Sequence, residues 1–263
     1  MSGISVVKVG GSTLEDIDSL APLWKGIASR AAQGEGLVLV HGGGKAVDAM
    51  LARLGLPTAR IEGLRVTPPD QMEVIAGVLA GTVNKRLVGA LNAQGGRGVG
   101  LCLGDGATLR CQVMKCAPSG ARADLGRVGE MGGSGDAALL RALLSNLFTP
   151  IIASIGLDAA GGLLNVNADD AASAIATLLG ADRLVLLTDV PGVRDGAGQV
   201  CPSLTPGTIQ RMIGRGEVTG GMIPKVRAAL DAARSCGIPV LITSTSAFGL
   251  EREAAGTLIV PED

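Results

Sequence analysis

The stretch that most constrains this chain is an apolar run that ends in three glycines, Val38-Leu39-Val40-His41-Gly42-Gly43-Gly44. Apolar residues at helical spacing follow at once, from Ala46 to Leu54, which predicts a buried strand that turns tightly into a helix. Glycines at such a turn let backbone N–H groups at the helix N-terminus approach an anion closely. Taken alone, the turn suits a crowded αβ corner without a ligand equally well.

A second apolar run, from Ile4 to Val9, also ends in glycines, Gly10 and Gly11. Two glycine-ended strands favour one site at the carboxyl edge of an open sheet. Further apolar runs alternate with helical patterns, and aromatic residues make up only 1% of the chain. We therefore predict an α/β fold, a three-layer α/β/α sandwich with an open, mainly parallel central sheet and an aliphatic core.

The alternation of strands and helices divides into two series, separated by a glycine-rich loop predicted at 156–164. We expect an N-terminal lobe at 1–160 and a C-terminal lobe at 161–263, which one continuous sheet could still join. The short, polar segment 59–67 predicts a hairpin or flap, and a helix bent near Gly81 should follow. Other predictions are a helix at 14–32 and a hairpin that pairs 111–115 with 124–128.

Composition and charge argue against several classes of protein. A net charge of −1 without a long basic run disfavours nucleic acid as a partner. No apolar stretch is expected to approach membrane-spanning length, and the N-terminus enters a strand without a signal peptide. The five cysteines lack metal-ligand spacing. They indicate reduced thiols in a cytoplasmic protein without a metal site of its own.

Two lysines stand where a cation destabilises the fold unless an anion is near. Lys8 lies near the carboxyl end of an apolar strand, and an unpaired buried ammonium group is costly. The alternative is a lysine whose end reaches water. Lys225 follows Pro224, which suits the first position of a helix. The positive end of that helix would then repel Lys225, and this favours a bound anion.

The segment from Asn165 to Asp170 combines structural and functional signals. Asn167 is a predicted N-cap, acidic residues suit the first turn of the following helix, and Asn165 stays available for a ligand. A polar loop from Thr188 to Asp195 follows another apolar run, where open α/β sheets bind nucleotides, although a surface turn explains it equally well.

Several catalytic templates lack support. The sequence has neither a Gly-x-x-x-x-Gly-Lys-Ser/Thr loop nor a Gly-x-Gly-x-x-Gly fingerprint. His41 is the only histidine, and its place before three glycines suggests turn geometry rather than a triad or a metal site. Two lysines, anion-binding glycine turns and no obvious base indicate phosphoryl transfer to an acceptor that is already ionised, such as a carboxylate.

Seven motifs, in this order, resemble those of the amino-acid kinase family over essentially the whole chain. They are Lys8-Val9-Gly10-Gly11, His41-Gly42-Gly43-Gly44, Gly63-Leu64-Arg65-Val66-Thr67-Pro68, Leu79-Ala80-Gly81-Thr82-Val83-Asn84-Lys85, Leu103-Gly104-Asp105-Gly106, Asn165-Val166-Asn167-Ala168-Asp169 and Gly221-Met222-Ile223-Pro224-Lys225-Val226. Each motif is weak alone, and together they are highly specific. The resemblance is greatest to the branch of the family whose acceptor is N-acetyl-L-glutamate.

The resemblance implies roles for particular residues. The N-terminal lobe would bind the acylated amino acid, and the C-terminal lobe would bind ATP with its Mg²⁺. Lys8 and Lys225 resemble the pair that stabilises the transferring phosphoryl group, and Asp169 resembles the carboxylate that orients both lysines. Substrate contacts are implied for Gly43, Gly44, Arg65 and Asn165. Nucleotide contacts are implied for Gly10, Gly11, Asp189, Val190, Pro191, Gly192, Val193, Arg194, Glu217, Val218 and Thr219.

The implied activity is phosphorylation of the side-chain carboxylate of N-acetyl-L-glutamate by MgATP, a step of L-arginine biosynthesis. One alternative is a kinase for aminoadipate or glutamate linked to a carrier protein. An acidic carrier would need several basic residues around the 59–67 flap, and the presence of only Arg60 and Arg65 there disfavours this alternative. Another is a non-catalytic, nucleotide-dependent regulator on the same fold. The presence of Lys8, Asp169 and Lys225 disfavours that regulator.

The ends of the chain add two expectations. Aspartate kinase and glutamate 5-kinase are disfavoured because no further domain follows within the 263 residues. Family members that arginine inhibits carry an extra N-terminal helix. Only Met1-Ser2-Gly3 precede Ile4 here, fewer than one helical turn. The extra N-terminal helix links dimers into a hexameric ring, so we expect that this chain forms no such ring and that arginine does not inhibit it. The resemblance itself implies a homodimer.

Overall fold

The computed structural model describes residues 3–250 and 255–261. Strands β1 to β14 are Ile4–Val9, Gly36–His41, Arg60–Ile61, Leu64–Arg65, Gly98–Cys102, Cys111–Val113, Val128–Met131, Thr149–Ala153, Ile155–Leu157, Leu163–Val166, Arg183–Thr188, Ser203–Leu204, Val240–Ser244 and Thr257–Ile259. Helices α1 to α9 are Ala21–Ala32, Gly44–Arg53, Pro69–Ala76, Asn84–Ala93, Ala138–Ser145, Ala168–Leu179, Pro206–Gly214, Met222–Cys236 and Thr245–Leu250.

The main sheet has the strand order β12-β14-β13-β11-β1-β2-β8-β5. From β13 to β5 every neighbouring pair is parallel, and β14 runs antiparallel to β13. The central strand β1 pairs with β2 on one side and with β11 on the other. One sheet therefore contains strands from both predicted lobes. The predicted boundary at residue 160 lies in the turn between β9 and β10. The division into lobes stays a prediction.

Side chains of the central strands alternate between two helix layers. Val6, Val38 and Leu184 join a core cluster with α6 and α8 on one face. Val7, Leu39 and Val185 join a second cluster with α1 and α4 on the other. Each fully buried aliphatic side chain contributes about 1.5–3 kcal/mol relative to an exposed one. The predicted three-layer α/β/α architecture and its aliphatic core are confirmed.

Two predicted elements are wrong in detail. Residues 156–164 form a hairpin in which Leu163 pairs with Leu157. The Asp158 side chain accepts hydrogen bonds from the backbone N–H groups of residues 160 and 162 and so closes the turn. Strand β6 pairs with β7, which begins at residue 128 and not at 124 as predicted. Residues 125 and 127 hydrogen-bond to Thr67 instead of to β6.

Two predicted helix starts are also displaced. Helix α1 begins at Ala21 rather than residue 14, with Pro22 in its first turn and two short 3₁₀ turns, Gly11–Leu14 and Asp18–Leu20, before it. Helix α8 begins at Met222, two residues before Pro224, so that Lys225 is its fourth residue and still lies in the first turn.

Helices α3 and α4 are joined by a π-helical segment, Gly77–Val83, at the irregularity predicted near Gly81. Together they form a stretch of 25 residues, Pro69–Ala93, that is long and apolar enough by length and composition to cross a membrane. The expectation that no stretch approaches that length is therefore wrong. Buried side chains of this stretch, such as Ile75 and Leu87, belong to the core on one face of the sheet. The apolar side chains of Pro69–Ala93 therefore contribute to packing in that core.

His41 is fully buried beneath the glycine turn. Its Nδ1 lies 2.8 Å from the carbonyl oxygen of Gly42, and its Nε2 lies 3.1 Å from the side-chain nitrogen of Asn84. That nitrogen also donates to the carbonyl oxygen of Ile151 at 2.8 Å. Burial lowers the pKa of His41 from 6.5 to about 4. The neutral ring therefore donates from Nδ1 and accepts at Nε2, and it fixes the turn as the sequence predicts.

We expect the burial of neutral His41 to make stability depend on pH. The unfolded chain binds a proton on this ring near pH 6.5, whereas the folded chain does so only near pH 4. Its contribution to the free energy of unfolding is therefore complete above pH 6.5 and is lost as the pH falls towards about 4. Urea unfolding across this range should show wild type losing stability faster than His41→Gln, which lacks the titrating group. A constant difference between the two proteins would contradict this.

Candidate functional site

An ion pair joins the central strand to helix α6 at the carboxyl edge of the sheet. The ammonium nitrogen of Lys8, on β1, lies 3.1 Å from Oδ1 of Asp169, in the first turn of α6. The Lys8 side chain is only 21% exposed, so it needs a partner of opposite charge. Asn167 caps α6 by accepting from the backbone N–H groups of Asp169 and Asp170 at 2.7 and 3.2 Å. This confirms the predicted N-cap and fixes the start of the helix that carries Asp169.

A second ion pair joins β11 to helix α8. The ammonium nitrogen of Lys225 lies 2.6 Å from Oδ1 of Asp189, which directly follows β11. The hydrogen bond from Lys225 is the main cause that holds the pKa of Asp189 below its usual value. The resemblance implies that Asp169 orients both lysines. In this structure Asp169 holds Lys8, and Asp189 holds Lys225.

Both ion pairs face a cavity of about 540 Å³, which we call the lysine cavity. Cavities of this size are typical of sites for small ligands. Apolar side chains from β11, α8 and β13 form part of its wall, and the remaining lining is polar or charged. The lining residues are Lys8, Gly10, Glu15, Lys45, Asp169, Leu186, Leu187, Thr188, Asp189, Lys225, Ala228 and Ile242.

A smaller cavity of about 230 Å³, which we call the glycine cavity, is lined by the turn Gly42–Gly44 together with Arg65, Asn165 and Asp169. Asp169 therefore lines both cavities. The sequence-predicted substrate contacts Gly43, Gly44, Arg65 and Asn165 are thus brought together in one place.

Arg65 ties the flap formed by β3 and β4 to helix α2. The buried guanidinium donates from Nη1 to Oδ1 of Asp48 at 2.5 Å and from Nη2 to the carbonyl oxygen of Gly44 at 3.0 Å. The hydrogen bond from Arg65 is the main cause that lowers the pKa of Asp48. Asn165 donates to the hydroxyl of Thr67 at 3.1 Å. The flap, α2 and β10 therefore hold the polar groups of the glycine cavity in place.

The implied nucleotide contacts are only partly brought together. Gly10 and Asp189 line the lysine cavity, and Gly11 begins the adjacent 3₁₀ turn. The implied contacts Val190, Pro191, Gly192, Val193, Arg194, Glu217, Val218 and Thr219 lie outside its lining in this structure. Val193 and Val218 are buried in the core, so their side chains serve packing.

Two lining residues, Glu15 and Lys45, are absent from the sequence-based predictions. Lys45 could have been predicted in the same way as Lys225, because it too is a cation in the first turn of a helix, here α2. Glu15 has no local signal, because only the fold brings it to the cavity. Within residues 3–250 and 255–261, no group of three or more His, Cys, Asp or Glu side chains is placed to hold a metal ion.

The sequence model described as "Amino acid kinase family" matches residues 3–244. The chain belongs to the amino acid kinase family. Acetylglutamate kinases of Aliivibrio fischeri strain MJ11 and Yersinia pestis strain Pestoides F are 47% and 45% identical to it over 240 residues. Those residues are 91% of this kinase and 89% and 90% of the two relatives.

Solved structures agree with the fold of this amino acid kinase. The protein smu.665 of Streptococcus mutans UA159 superposes with a TM-score of 0.78 at 30% identity, and 100% of each chain is covered. The N-acetylglutamate synthase of Neisseria gonorrhoeae, complexed with coenzyme A and N-acetyl-glutamate, gives 0.79 at 25% identity. That match covers 99% of this chain and 60% of the synthase. The structure of Giardia carbamate kinase, 18% identical with a TM-score of 0.67, shares the fold.

The first prediction from the site concerns the space beside Lys8. A Cβ atom on Gly10 would lie 2.8 Å from the Lys8 ammonium nitrogen and 3.0 Å from the carbon that bears it. Gly10→Ala should therefore move the ammonium group away from Asp169. We expect kinase turnover to fall by about 10²-fold, as for other small displacements of a catalytic group, with little change in thermal stability.

The matched control is Gly89→Ala in helix α4, where an added Cβ meets nothing within 4 Å. This variant should retain wild-type turnover in the same coupled kinase assay. Full turnover in Gly10→Ala would show that the position of Lys8 does not depend on the missing side chain.

Proposed function

We propose that this kinase phosphorylates the side-chain carboxylate of N-acetyl-L-glutamate with MgATP, giving N-acetyl-L-glutamyl 5-phosphate and ADP. The observation that carries the proposal is that Asp169, the ion-pair partner of Lys8, lines both cavities. One cavity presents ammonium groups suited to a nucleotide, and the other presents a guanidinium group and a glycine turn suited to a small acid. Relatives named acetylglutamate kinase at 45–47% identity support this acceptor and a place in L-arginine biosynthesis.

In this proposal the lysine cavity binds the phosphate chain of ATP. Lys8 and Lys225 approach from opposite elements, β1 and α8, and their ammonium groups offset negative charge on the phosphoryl group as it is transferred. Asp169 and Asp189 hold the two lysines in position before the nucleotide enters. The lysines suit a nucleotide that carries its own Mg²⁺, which would supply further positive charge to the phosphates.

The glycine cavity would bind the acceptor. Backbone N–H groups of Gly43 and Gly44, at the start of α2, suit an anion. The Arg65 guanidinium can grip a carboxylate in a bidentate manner, and Asn165 offers an amide for a further hydrogen bond. The reacting carboxylate of the acceptor is ionised at neutral pH. The transfer therefore requires no general base, and proximity and charge supply the catalysis.

The two alternatives from the sequence are not favoured. Acetylglutamate kinases match 91% of the chain at up to 47% identity, which favours a free acetylated amino acid over a carrier-linked acceptor. Lys8 and Lys225 line one cavity together with their partner carboxylates. Catalysis requires this arrangement, whereas a non-catalytic regulator would not require it.

The assembly and location are proposals as well. We propose a cytoplasmic homodimer, which light scattering would test, with an acceptor lobe at 1–160 and a nucleotide lobe at 161–263. The five cysteines are free thiols, consistent with a reducing compartment. Each cavity draws on both lobes, since Lys8 lines the lysine cavity and Asn165 lines the glycine cavity.

A coupled assay of ADP release tests the proposed reaction. N-Acetyl-L-glutamate, glutamate, aspartate and N-acetyl-aminoadipate are offered side by side with MgATP. We expect the highest kcat/KM for N-acetyl-L-glutamate, and a loss of about 10²–10³-fold in kcat for Lys225→Ala, as for removal of one charge-stabilising group. A higher kcat/KM for another acid, or unchanged turnover in Lys225→Ala, would contradict the proposal.

The acceptor assignment of the glycine cavity is tested by Arg65→Lys. Lysine keeps the positive charge and loses the planar fork that grips a carboxylate. We expect the KM for the acceptor to rise about tenfold or more, as loss of a charged hydrogen bond does, with the KM for ATP within about twofold. Steady-state kinetics in both substrates measures the difference. A rise confined to the KM for ATP would reverse the assignment of the two cavities.

A further inference from the structure

The lysine cavity contains a third ion pair that neither the sequence motifs nor the proposed reaction uses. The ammonium nitrogen of Lys45 lies 2.5 Å from Oε1 of Glu15. Lys45 is in the first turn of α2, and Glu15 follows the 3₁₀ turn Gly11–Leu14. Both side chains line the same cavity as Lys8 and Lys225.

The three ion pairs share one design. Lys8 pairs with Asp169, Lys225 pairs with Asp189, and Lys45 pairs with Glu15, each time across two different elements of the fold. Without a ligand, the three ammonium groups are balanced by three carboxylates. A polyphosphate that enters the cavity can take the place of the carboxylates, so that three cations become available to one chain of phosphates.

Lys45 is the most exposed of the three ammonium groups. Its side chain and that of Glu15 are 75% and 45% exposed, against 21% and 38% for Lys8 and Asp169 and 38% and 63% for Lys225 and Asp189. Exposed ion pairs add little stability, so this one separates readily when a stronger anion arrives. No acidic residue stands in the first turn of α2 to offset the charge of Lys45. The helix dipole therefore favours an anion beside this ammonium group.

Lys45 also lies towards the acceptor side. It lines a further cavity of about 510 Å³ that shares Glu15 with the lysine cavity and shares Gly43, Gly44 and Arg60 with the glycine cavity. An ammonium group at this place can reach the end of a phosphate chain that points from the nucleotide towards the acceptor.

We propose that Lys45 binds the phosphate chain of the nucleotide as a third cation, and that Glu15 holds Lys45 in the nucleotide-free protein. The inference rests on the proposed function in taking MgATP as the ligand. Lys45 then discriminates by phosphate number, since a nucleoside monophosphate extends too short a chain to reach it.

Calorimetric titration with the magnesium complex of a non-hydrolysable ATP analogue, and separately with AMP, tests the role of Lys45. We expect Lys45→Met to weaken binding of the analogue about tenfold, as loss of a charged hydrogen bond does, and to leave AMP binding within about twofold. Lys45→Arg should restore most of the affinity. The matched control is Lys25→Met, on α1 outside the lining of the cavity, which should bind both ligands as wild type does.

The role of Glu15 gives a second measurement, and its first arm, Glu15→Gln alone, does not depend on the folding of Lys45→Met. Glu15→Gln frees Lys45 from its partner and should tighten analogue binding a few-fold. In the Lys45→Met background the same change should have no such effect, since contacting residues behave non-additively. An equal effect of Glu15→Gln in both backgrounds, or wild-type analogue affinity in Lys45→Met, would overturn the inference.

The outcome is separable from that of the proposed reaction. Turnover of N-acetyl-L-glutamate without an effect of Lys45 on affinity overturns the inference and leaves the function. An effect of Lys45 on affinity without turnover of that acid overturns the function and leaves the inference. A wild-type protein that binds neither nucleotide overturns both.

Discussion

The parallel pairing of β1 between β2 and β11 is the constraint on which the site depends. In this register Lys8 lies opposite Val40 and Leu186. Lys8 shares a strand face with Val6, whose cluster contains α6, whereas Val7 and Val9 face the other helix layer. A slip of one residue would turn Lys8 away from Asp169 and put an apolar side chain in its place. The same register that fills the core therefore also sets the ion pair between the two cavities.

The charges of the lysine cavity form a balanced set. Three ammonium groups close to one another would repel, and each instead lies within 3.1 Å of a carboxylate oxygen. Because these pairs are partly exposed, each carboxylate can be exchanged for a phosphate at small cost. A fully buried set would be held too firmly for such exchange, since buried charges depend on their partners. Partial burial of the ion pairs thus keeps the charges balanced and still leaves them accessible to an anion.

The sequence predicts those features that depend on neighbouring residues. The apolar run of β1, the glycine turn after His41 and the Asn167 cap are all local, and the structure has each of them. The hairpin at 155–166 is not predicted, because its turn depends on the Asp158 carboxylate, which accepts hydrogen bonds from the backbone N–H groups of residues 160 and 162. The partners of Lys225 and Lys45 escape prediction for another reason. Asp189 meets Lys225, and Glu15 meets Lys45, only after the sheet brings distant elements together.

The buried histidine beneath the glycine turn narrows the chemistry of the acceptor. Both ring nitrogens of His41 are engaged by hydrogen bonds, and burial lowers its pKa to about 4, so it is a poor base in any case. Among the described residues that line the two cavities, the carboxylates Glu15, Asp169 and Asp189 are each engaged with an ammonium group. An alcohol or amine acceptor would need one of these groups to take its proton. An acceptor that arrives ionised needs none, and a carboxylate meets that condition at neutral pH. The fold that holds the turn rigid therefore favours acids as acceptors.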